Sequence, residues 1–324
     1  MIIDVHNHFY PREYLDAVKR GGCVAKAVED SSGNLLVVYE GDFNVVDRGH
    51  ADAAFRLEEI RRYGIDYQVL SMTTPGVHIE EKSRGIDLAR AVNEGFAELV
   101  KASRGHFQAM AALPLNSPED AASELTYAVR RLGLVGGTVF TNVNGKMIDL
   151  PEFEPLLAAA VELDVPLFIH PTTPVPSTGF LEYRLAATVG FTVDTTVCVA
   201  RLIFSGALDR FARLKIISSH LGGTLPYLAE RLDRGYLAYP ECRKVKGLPS
   251  EYLKRIYYDC VLFDPRTVAY AIGQMGASQF MAGSDYPHQI GSLAKSVRVI
   301  EDLPFGNDVK EQIFSGNARR VFKV

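Results

Sequence analysis

The sequence lacks several features that would mark a secreted, membrane-spanning or disulfide-rich protein. It contains no tryptophan, no C-x-x-C pair and no apolar stretch approaching about 18 residues, so no membrane span is predicted. The first segment, Met1–Pro11, turns polar within four residues, which is unlike a secretory signal. The four cysteines lie far apart, at Cys23, Cys198, Cys242 and Cys260, which predicts free thiols in a reducing, cytoplasmic compartment.

The chain also lacks an excess of charge of one sign. Its 35 Lys and Arg residues stand against 39 Asp and Glu residues, giving a formal net charge of −4 without a long run of either sign. A broad nucleic-acid or membrane-surface footprint would need such an excess. We therefore expect a small-molecule partner, with no nucleic acid and no membrane.

Short apolar runs alternate with amphipathic stretches along the whole chain. The runs, which predict eight buried strands, are Ile2–Val5, Tyr67–Ser71, Phe107–Leu113, Val135–Phe140, Pro166–Ile169, Leu214–Ser218, Ile256–Tyr258 and Gln279–Ala282. The helical patterns between them include Ala51–Tyr63, Gly85–Arg104, Pro118–Leu132, Glu152–Leu163 and Val193–Phe211. This alternation favours an α/β fold, a (β/α)8 TIM barrel spanning 1–324 as one domain. A doubly wound open sheet is the structural alternative.

The segment after the first predicted strand departs from this alternation. Residues 10–48 carry turn signals, Ser-Ser-Gly-Asn and Glu-Gly-Asp, between alternating apolar runs. Such a pattern is typical of a β-hairpin. We predict a small β flap inserted after strand 1.

Polar side chains with metal-binding chemistry follow four of the predicted strands. His6 and His8 are two residues apart at the end of strand 1, so an extended chain points both imidazoles to the same side. His170, His220 and Asp285 follow strands 5, 6 and 8. A single histidine at a strand end is usually structural, but four of the eight histidines in the chain stand at these positions.

The carboxyl ends of barrel strands converge on one face, so these five side chains would meet there. Three histidines, a carboxylate and a water suit one divalent ion such as Zn²⁺, and Mn²⁺ or Fe²⁺ would suit the same donors. The remaining histidine would act as an acid/base beside metal-bound water.

Four motifs in this order resemble the amidohydrolase superfamily. They are His6-Asn7-His8, His170-Pro171, His220-Leu221-Gly222-Gly223 and Asp285-Tyr286-Pro287. Within the superfamily they resemble the branch of 2-amino-3-carboxymuconate-6-semialdehyde decarboxylase and related aromatic-acid decarboxylases.

The resemblance implies a role for each of these residues. His6, His8, His170 and Asp285 would bind one metal, and His220 would activate its water or move protons. Many relatives bridge two metals with a carboxylated lysine on strand 4, but Gly137–Asn144 holds no lysine. That absence favours a single metal.

The resemblance also singles out residues that would contact the substrate. Arg231 matches an arginine that reaches into the neighbouring subunit and binds the substrate carboxylate, which implies a homodimer or higher homo-oligomer. Asn44 stands where the flap of that branch carries an arginine, and His288 stands where it carries a phenylalanine. His78, after strand 2, lies at the expected active face. We predict substrate contacts for all four, and a substrate different from the semialdehyde.

Three functions compete for this set of residues. The first is non-oxidative decarboxylation of an aromatic or unsaturated carboxylic acid, with His220 and Asp285 as catalytic residues. The second is hydrolysis or hydration of a lactone, amide or unsaturated acid at the same site. The third is a non-enzymatic barrel with a vestigial metal site. The single-metal pattern and Arg231 favour decarboxylation.

Overall fold

The computed structural model describes residues 1–174 and 176–324 of the chain, which form an α/β fold. Its strands are β1 (Ile3–Asp4), β2 (Lys26–Glu29), β3 (Leu35–Tyr39), β4 (Asp42–Val45), β5 (Tyr67–Leu70), β6 (Phe107–Ala109), β7 (Gly137–Phe140), β8 (Asn142–Val143), β9 (Lys146–Met147), β10 (Pro166–His170), β11 (Lys215–Ser218), β12 (Tyr257–Asp259) and β13 (Phe280–Met281). Each of the eight runs predicted from the sequence coincides with one of these strands, although β10 and β12 extend one residue beyond the predicted end.

Two sheets carry the strands that correspond to the eight predicted runs, and all their pairings are parallel. One sheet has the order β1-β5-β6 and the other has the order β13-β12-β11-β10-β7. Isolated parallel bridges link the two sheets. Ala111, just after β6, pairs with Gly137 of β7, and Asn7, just after β1, pairs with Tyr286, which follows β13.

The helices lie between the strands in the order that the sequence predicts. They are α1 (Arg12–Arg20), α2 (Ala53–Arg62), α3 (Lys82–Ala102), α4 (Pro118–Leu132), α5 (Glu154–Leu163), α6 (Phe191–Phe204), α7 (Ala207–Arg210), α8 (Leu225–Ala238), α9 (Pro249–Leu253), α10 (Pro265–Met275), α11 (Leu293–Glu301), α12 (Asn307–Glu311) and α13 (Asn317–Phe322). Helix α4 shows how local sequence sets the ends: Pro118 opens it, and Gly133 closes it at φ 75°.

The side chains of the two parallel sheets share one of the two apolar cores. This core contains Ile3 and Val69 from the first sheet, Phe168 and Ile217 from the second, and Phe322 from the last helix. The larger core packs the helices against the outer faces of the strands. The carboxyl ends of the strands are left for polar side chains.

The flap differs from the predicted hairpin because it has three strands. β2 pairs with β3 and β3 pairs with β4, both antiparallel. The second turn signal, Glu40-Gly41, reverses the chain again, since Gly41 adopts φ 84°. The Tyr39 hydroxyl lies 2.9 Å from the Thr74 hydroxyl, which ties the flap to the loop after β5.

One helical stretch in the described part of the chain, Ala186–Phe204, is long and apolar enough to cross a membrane by length and composition alone. It has 19 residues and a mean hydropathy of 1.4. Helices that cover a protein core meet the same criteria, and Cys198, Leu202 and Ile203 of this stretch are packed in the larger core.

Candidate active site and metal centre

Four potential metal donors from different parts of the chain converge at the carboxyl ends of the strands. His6 and His8 follow β1, His170 ends β10, and Asp285 follows β13. One donor atom from each lies within 4.8 Å of the others, and all four residues are buried. The structure therefore brings together the four metal ligands predicted from the sequence.

The three histidines are oriented by hydrogen bonds at their Nδ1 atoms. His6 Nδ1 lies 2.6 Å from an Asp259 carboxylate oxygen, and His170 Nδ1 lies 2.8 Å from the Pro171 carbonyl oxygen. His8 Nδ1 lies 3.2 Å from the Ser71 hydroxyl, which itself donates to the Asn7 carbonyl. These partners place the proton on Nδ1 and leave each Nε2 lone pair for the site.

Two of these Nε2 atoms, those of His6 and His170, are buried without a hydrogen-bond partner. Buried polar atoms are normally satisfied, so these two unpaired nitrogens are suited to binding a ligand. Imidazole nitrogens around a carboxylate are a donor set that divalent transition metals bind. The residues present thus fit a single divalent metal site.

The cluster places buried carboxylates in contact with buried imidazoles, and these groups shift the pKa values of one another. Burial lowers the pKa of His6, but the Asp259 and Asp285 carboxylates raise it more, to about 10. Burial raises the pKa of Asp285, yet the neighbouring imidazoles of His220, His6 and His8 hold it well below its usual value. The site therefore stabilises a positive charge beside Asp285. A divalent cation would supply that charge and displace the His6 proton.

Asp259 is a functional residue that the sequence analysis missed. It ends β12, is fully buried, and accepts hydrogen bonds from His6 Nδ1 and from the backbone N–H groups of His220 and Leu221. One carboxylate thus orients both a predicted metal ligand and the predicted acid/base. The available signal was its position, since it directly follows the predicted strand Ile256–Tyr258.

His220 is held in an unusual backbone conformation at the end of β11. Its φ is 51° and that of Leu221 is 58°, and Gly222 and Gly223 continue the left-handed run. A Cβ on Gly223 would lie 2.2 Å from the Thr192 carbonyl oxygen, so the chain needs glycine there. Left-handed non-glycine residues are costly and are retained mainly at functional sites.

The His220 side chain faces Asp285 across the site. Its Nε2 lies 3.7 Å from an Asp285 oxygen, and its Nδ1 is buried without a hydrogen-bond partner. Asp285 also has a left-handed backbone, with φ 56°, and its N–H donates to the His6 carbonyl at 2.7 Å. Both predicted catalytic residues are therefore fixed by neighbours rather than by regular secondary structure.

A buried polar network supports the strand that carries His6 and His8. The Arg56 guanidinium donates to the His8 carbonyl, the Asn7 side chain and Gln68, each at 2.7 Å. Gln68 in turn donates to Asp4 at 2.7 Å. Because every member is satisfied, the network holds the backbone around His6 and His8 rigidly.

A cavity of about 490 Å³ opens beside the donors. Its polar lining includes His170, His220, Asp285 and His288, and the flap contributes Asp42 to Val45. Apolar walls come from Phe191, Val261, Leu262 and Phe263 among others. A volume of this size fits a drug-sized small molecule, such as a substituted aromatic ring.

The profile of the amidohydrolase family matches residues 3–324, nearly the whole chain. The chain belongs to the amidohydrolase family. This confirms the resemblance that the four sequence motifs indicated.

Amidohydrolases similar to this chain include several decarboxylases. The chain is 28% identical over 323 residues to the 2-amino-3-carboxymuconate-6-semialdehyde decarboxylase of Dictyostelium discoideum, covering 98% of this chain and 90% of that one. The structure of 5-carboxyvanillate decarboxylase from Sphingomonas paucimobilis matches with a TM-score of 0.88 and 27% identity, covering 100% of this chain and 99% of that one.

A further solved relative carries a metal. It is the dihydroxybenzoic acid decarboxylase of Polaromonas sp. JS666 with bound manganese and the inhibitor 2-nitroresorcinol. It matches with a TM-score of 0.79 and 27% identity, covering 99% of this chain and 96% of that one.

The four predicted substrate contacts lie in different places. His288 lines the cavity, with its Nε2 2.9 Å from the Thr73 hydroxyl. Asn44 also lines the cavity, but its amide donates to the Tyr10 hydroxyl and to Thr74, so it anchors the flap.

His78 and Arg231 lie outside the lining of this cavity. His78 is buried against Phe140, with ring centroids 4.8 Å apart. Arg231 is exposed on α8 and does not reach the cavity of its own chain.

Proposed function

We propose that this amidohydrolase is a metal-dependent carboxy-lyase that removes CO2 from an aromatic carboxylic acid without oxidation. The observation that carries the proposal is the convergence of three histidine Nε2 atoms and Asp285 beside a cavity large enough for one substituted ring. The names of the three similar proteins described above, each a decarboxylase, support the same reaction class.

The residues of the chain divide the work of this reaction. His6, His8, His170 and Asp285 would hold the metal, whose positive charge would orient the substrate carboxylate and its neighbouring oxygen. His220 lies beside them with Nε2 near Asp285, positioned to hold and move a proton. The bond from ring carbon to carboxylate breaks, its electron pair stays on the carbon, and the proton from His220 bonds there as CO2 leaves.

The apolar wall of the cavity favours conversion of the charged carboxylate into neutral CO2. Phe191, Val261 and Phe263 line it, and apolar walls exclude water from the reacting carbon. A proton from His220 then reaches the ring carbon with little competition from solvent. Asp259 keeps His220 in place through the backbone.

A substrate screen separates this proposal from hydrolysis or hydration. Metal-reconstituted protein would be incubated with a panel of aromatic and unsaturated carboxylic acids, lactones and amides. CO2 release and incorporation of oxygen from labelled water would be recorded separately. The proposal expects CO2 without solvent oxygen in the product; solvent oxygen without CO2 would favour the hydrolase.

We propose one divalent metal per chain, with zinc as the assignment that the histidine-rich donor set favours. The manganese in the Polaromonas relative supports Mn²⁺ as the competing assignment. Metal analysis of protein purified without added metal, followed by reconstitution with each ion, distinguishes them. Two ions per chain would contradict the single site.

We also propose that the eight parallel strands close into a (β/α)8 barrel forming one domain over 1–324. The bridges at Ala111–Gly137 and Asn7–Tyr286 support closure, as does the apolar core shared by the two sheets. The three-stranded flap is an insertion within this barrel.

We further propose a homodimer or higher homo-oligomer in which Arg231 reaches the cavity of the neighbouring chain. Its exposure on α8, away from the cavity of its own chain, is consistent with this role. Guanidinium binds carboxylates through paired hydrogen bonds, which suits an acidic substrate.

A further inference from the structure

A guanidinium that the proposed mechanism does not use lines the flap side of the cavity. Arg184, in the loop between β10 and α6, is the one Lys or Arg side chain among the described lining residues. Its guanidinium lies 4.3 Å from the ring centroid of Phe43, a residue of the flap. A positive charge on the wall of a cavity that is proposed to bind carboxylic acids is a candidate binding group for an anionic part of the substrate.

Arg184 keeps donors available after its contacts within the chain are counted. Nη1 donates to Asp42 at 2.5 Å and Nη2 donates to the Phe43 carbonyl at 3.3 Å. A guanidinium has five N–H donors, so most remain for a ligand. The side chain is 47% exposed, whereas that of Asp42 is 6% exposed.

Arg184 lines the same cavity as the metal donors. His170, Asp285 and His288 are on its wall together with Arg184. The His288 ring packs against the ring of His8, with ring centroids 4.8 Å apart and the two planes tilted by 47°. An anion bound to Arg184 would therefore lie in the cavity that the metal donors face.

The backbone at Arg184 adopts a strained conformation, which contacts with the flap maintain. Tyr183 and Arg184 are consecutive non-glycine residues with φ 55° and 56°. Such conformations cost free energy and are maintained where surrounding contacts hold them. The contacts of Arg184 with Asp42 and Phe43 supply that support from across the cavity.

The flap residues that line the cavity, Asp42 to Val45, include no lysine or arginine. Asn44 faces the cavity, but its amide donors are used by Tyr10 and Thr74. An anionic group entering on the flap side would meet the Asp42 carboxylate and the Arg184 guanidinium. Of the two, only Arg184 attracts it.

We propose that Arg184 is a specificity-determining residue, which binds a second anionic group of the substrate while the carboxylate that is lost faces the metal donors. The preferred substrates are then aromatic acids with two ionised groups. This inference rests on the proposed function for the identity of the first group, but the binding preference can be measured without turnover.

Asp42 distinguishes substrate binding from a purely structural role. If the Arg184–Asp42 pair only latched the flap shut, removing either partner would weaken all ligands alike. If Arg184 reads a second anion, Asp42 competes for the guanidinium and repels the ligand. Removing the Asp42 charge should then strengthen binding of the doubly charged ligand, the opposite of removing Arg184.

The test compares ligands of one shape and different charge on the metal-reconstituted protein by calorimetry. The probes are the 1,3- and 1,4-benzenedicarboxylates and the monoamide of each, which keeps one carboxylate. Wild type should prefer a diacid over its monoamide by at least about tenfold, the strength of a charge-assisted hydrogen bond. Arg184→Met should reduce this preference below about twofold, and Arg184→Lys should retain part of it.

Asp42→Asn should raise the diacid preference above that of wild type. No preference in wild type, or equal weakening of all ligands by Arg184→Met and Asp42→Asn, would overturn the inference. If Arg184→Met does not fold, the opposite signs of Arg184→Lys and Asp42→Asn decide the question. A diacid preference without CO2 release from any acid would leave Arg184 as the anion site and would count against the proposed decarboxylase.

Discussion

His6 Nδ1 and the Asp259 carboxylate lie 2.6 Å apart, and both side chains are fully buried. The pair joins the end of β12 to the predicted metal ligand after β1. It fixes the His6 tautomer that exposes Nε2, and the same carboxylate holds the backbone of His220. In the proposed mechanism, metal binding and proton transfer would therefore both depend on a residue that is neither a metal ligand nor part of the cavity lining.

Asp259→Asn should weaken metal binding by about 10- to 100-fold, because an amide cannot hold His6 in this tautomer with a charged partner. Titration of the metal against a competing chelator measures the effect. The control is Asp302→Asn, at the exposed end of α11, which should bind metal as wild type does. Equal affinity for Asp259→Asn and wild type would show that the contact does not orient His6.

His220→Asn should keep the metal and lose activity by about 10²- to 10⁴-fold, the usual contribution of a general acid or base. Asparagine is chosen because it tolerates the left-handed backbone at this position. Metal content and steady-state turnover are both measured. His106→Asn, at a half-buried histidine before β6 that is not part of the cavity lining, is the control. Normal turnover with bound metal would remove His220 from the mechanism.

His78 predicts part of the pH dependence of stability. Burial lowers its pKa from 6.5 to about 4, so below pH 6.5 the unfolded chain binds a proton that the folded chain does not. Stability from this group is complete above pH 6.5 and is lost as the pH falls toward 4. Its loss at pH 5 amounts to about 2 kcal/mol.

His78→Leu should remove that component. Its free energy of unfolding should fall less than that of wild type between pH 7.5 and 5, as measured by urea denaturation at each pH. Parallel curves for the two proteins would mean that His78 titrates normally in the folded state.

Mixing two inactive variants tests whether Arg231 acts in the neighbouring chain. Each site in an Arg231→Ala/His220→Asn mixed dimer draws its arginine and its His220 from different chains. One of the two sites is then intact, so mixing and reassembly should restore a measurable part of the activity. The control is Arg234→Ala, at another exposed arginine on the same helix. No recovery in confirmed mixed dimers would contradict sharing.

The sequence predicts the parallel strands well because each is a short run of apolar, often β-branched residues that is buried on both faces. β10, which ends in His170, is buried along its whole length and stands out as an apolar run. The spacing of His6 and His8 likewise follows from strand geometry alone. Functional residues that stand at the end of a strand can therefore be predicted from the sequence.

Contacts between distant segments are what the sequence does not reveal. Asp259 reaches His6 across 253 positions, and Arg184 reaches Asp42 across 142. Neither contact has a local pattern, since Arg184 lies in an irregular loop. The third flap strand was missed for a related reason, because two turn signals fit either one hairpin or a three-stranded sheet.

The most direct test of the account is CO2 release by one preparation taken through metal removal and reloading. The protein is assayed on the best acid from the screen as purified, after chelation, and after addition of one equivalent of Zn²⁺ or Mn²⁺ per chain. The account predicts loss of CO2 release on chelation and recovery that saturates near one ion per chain, with one CO2 per product. CO2 release that persists in metal-free protein would contradict it.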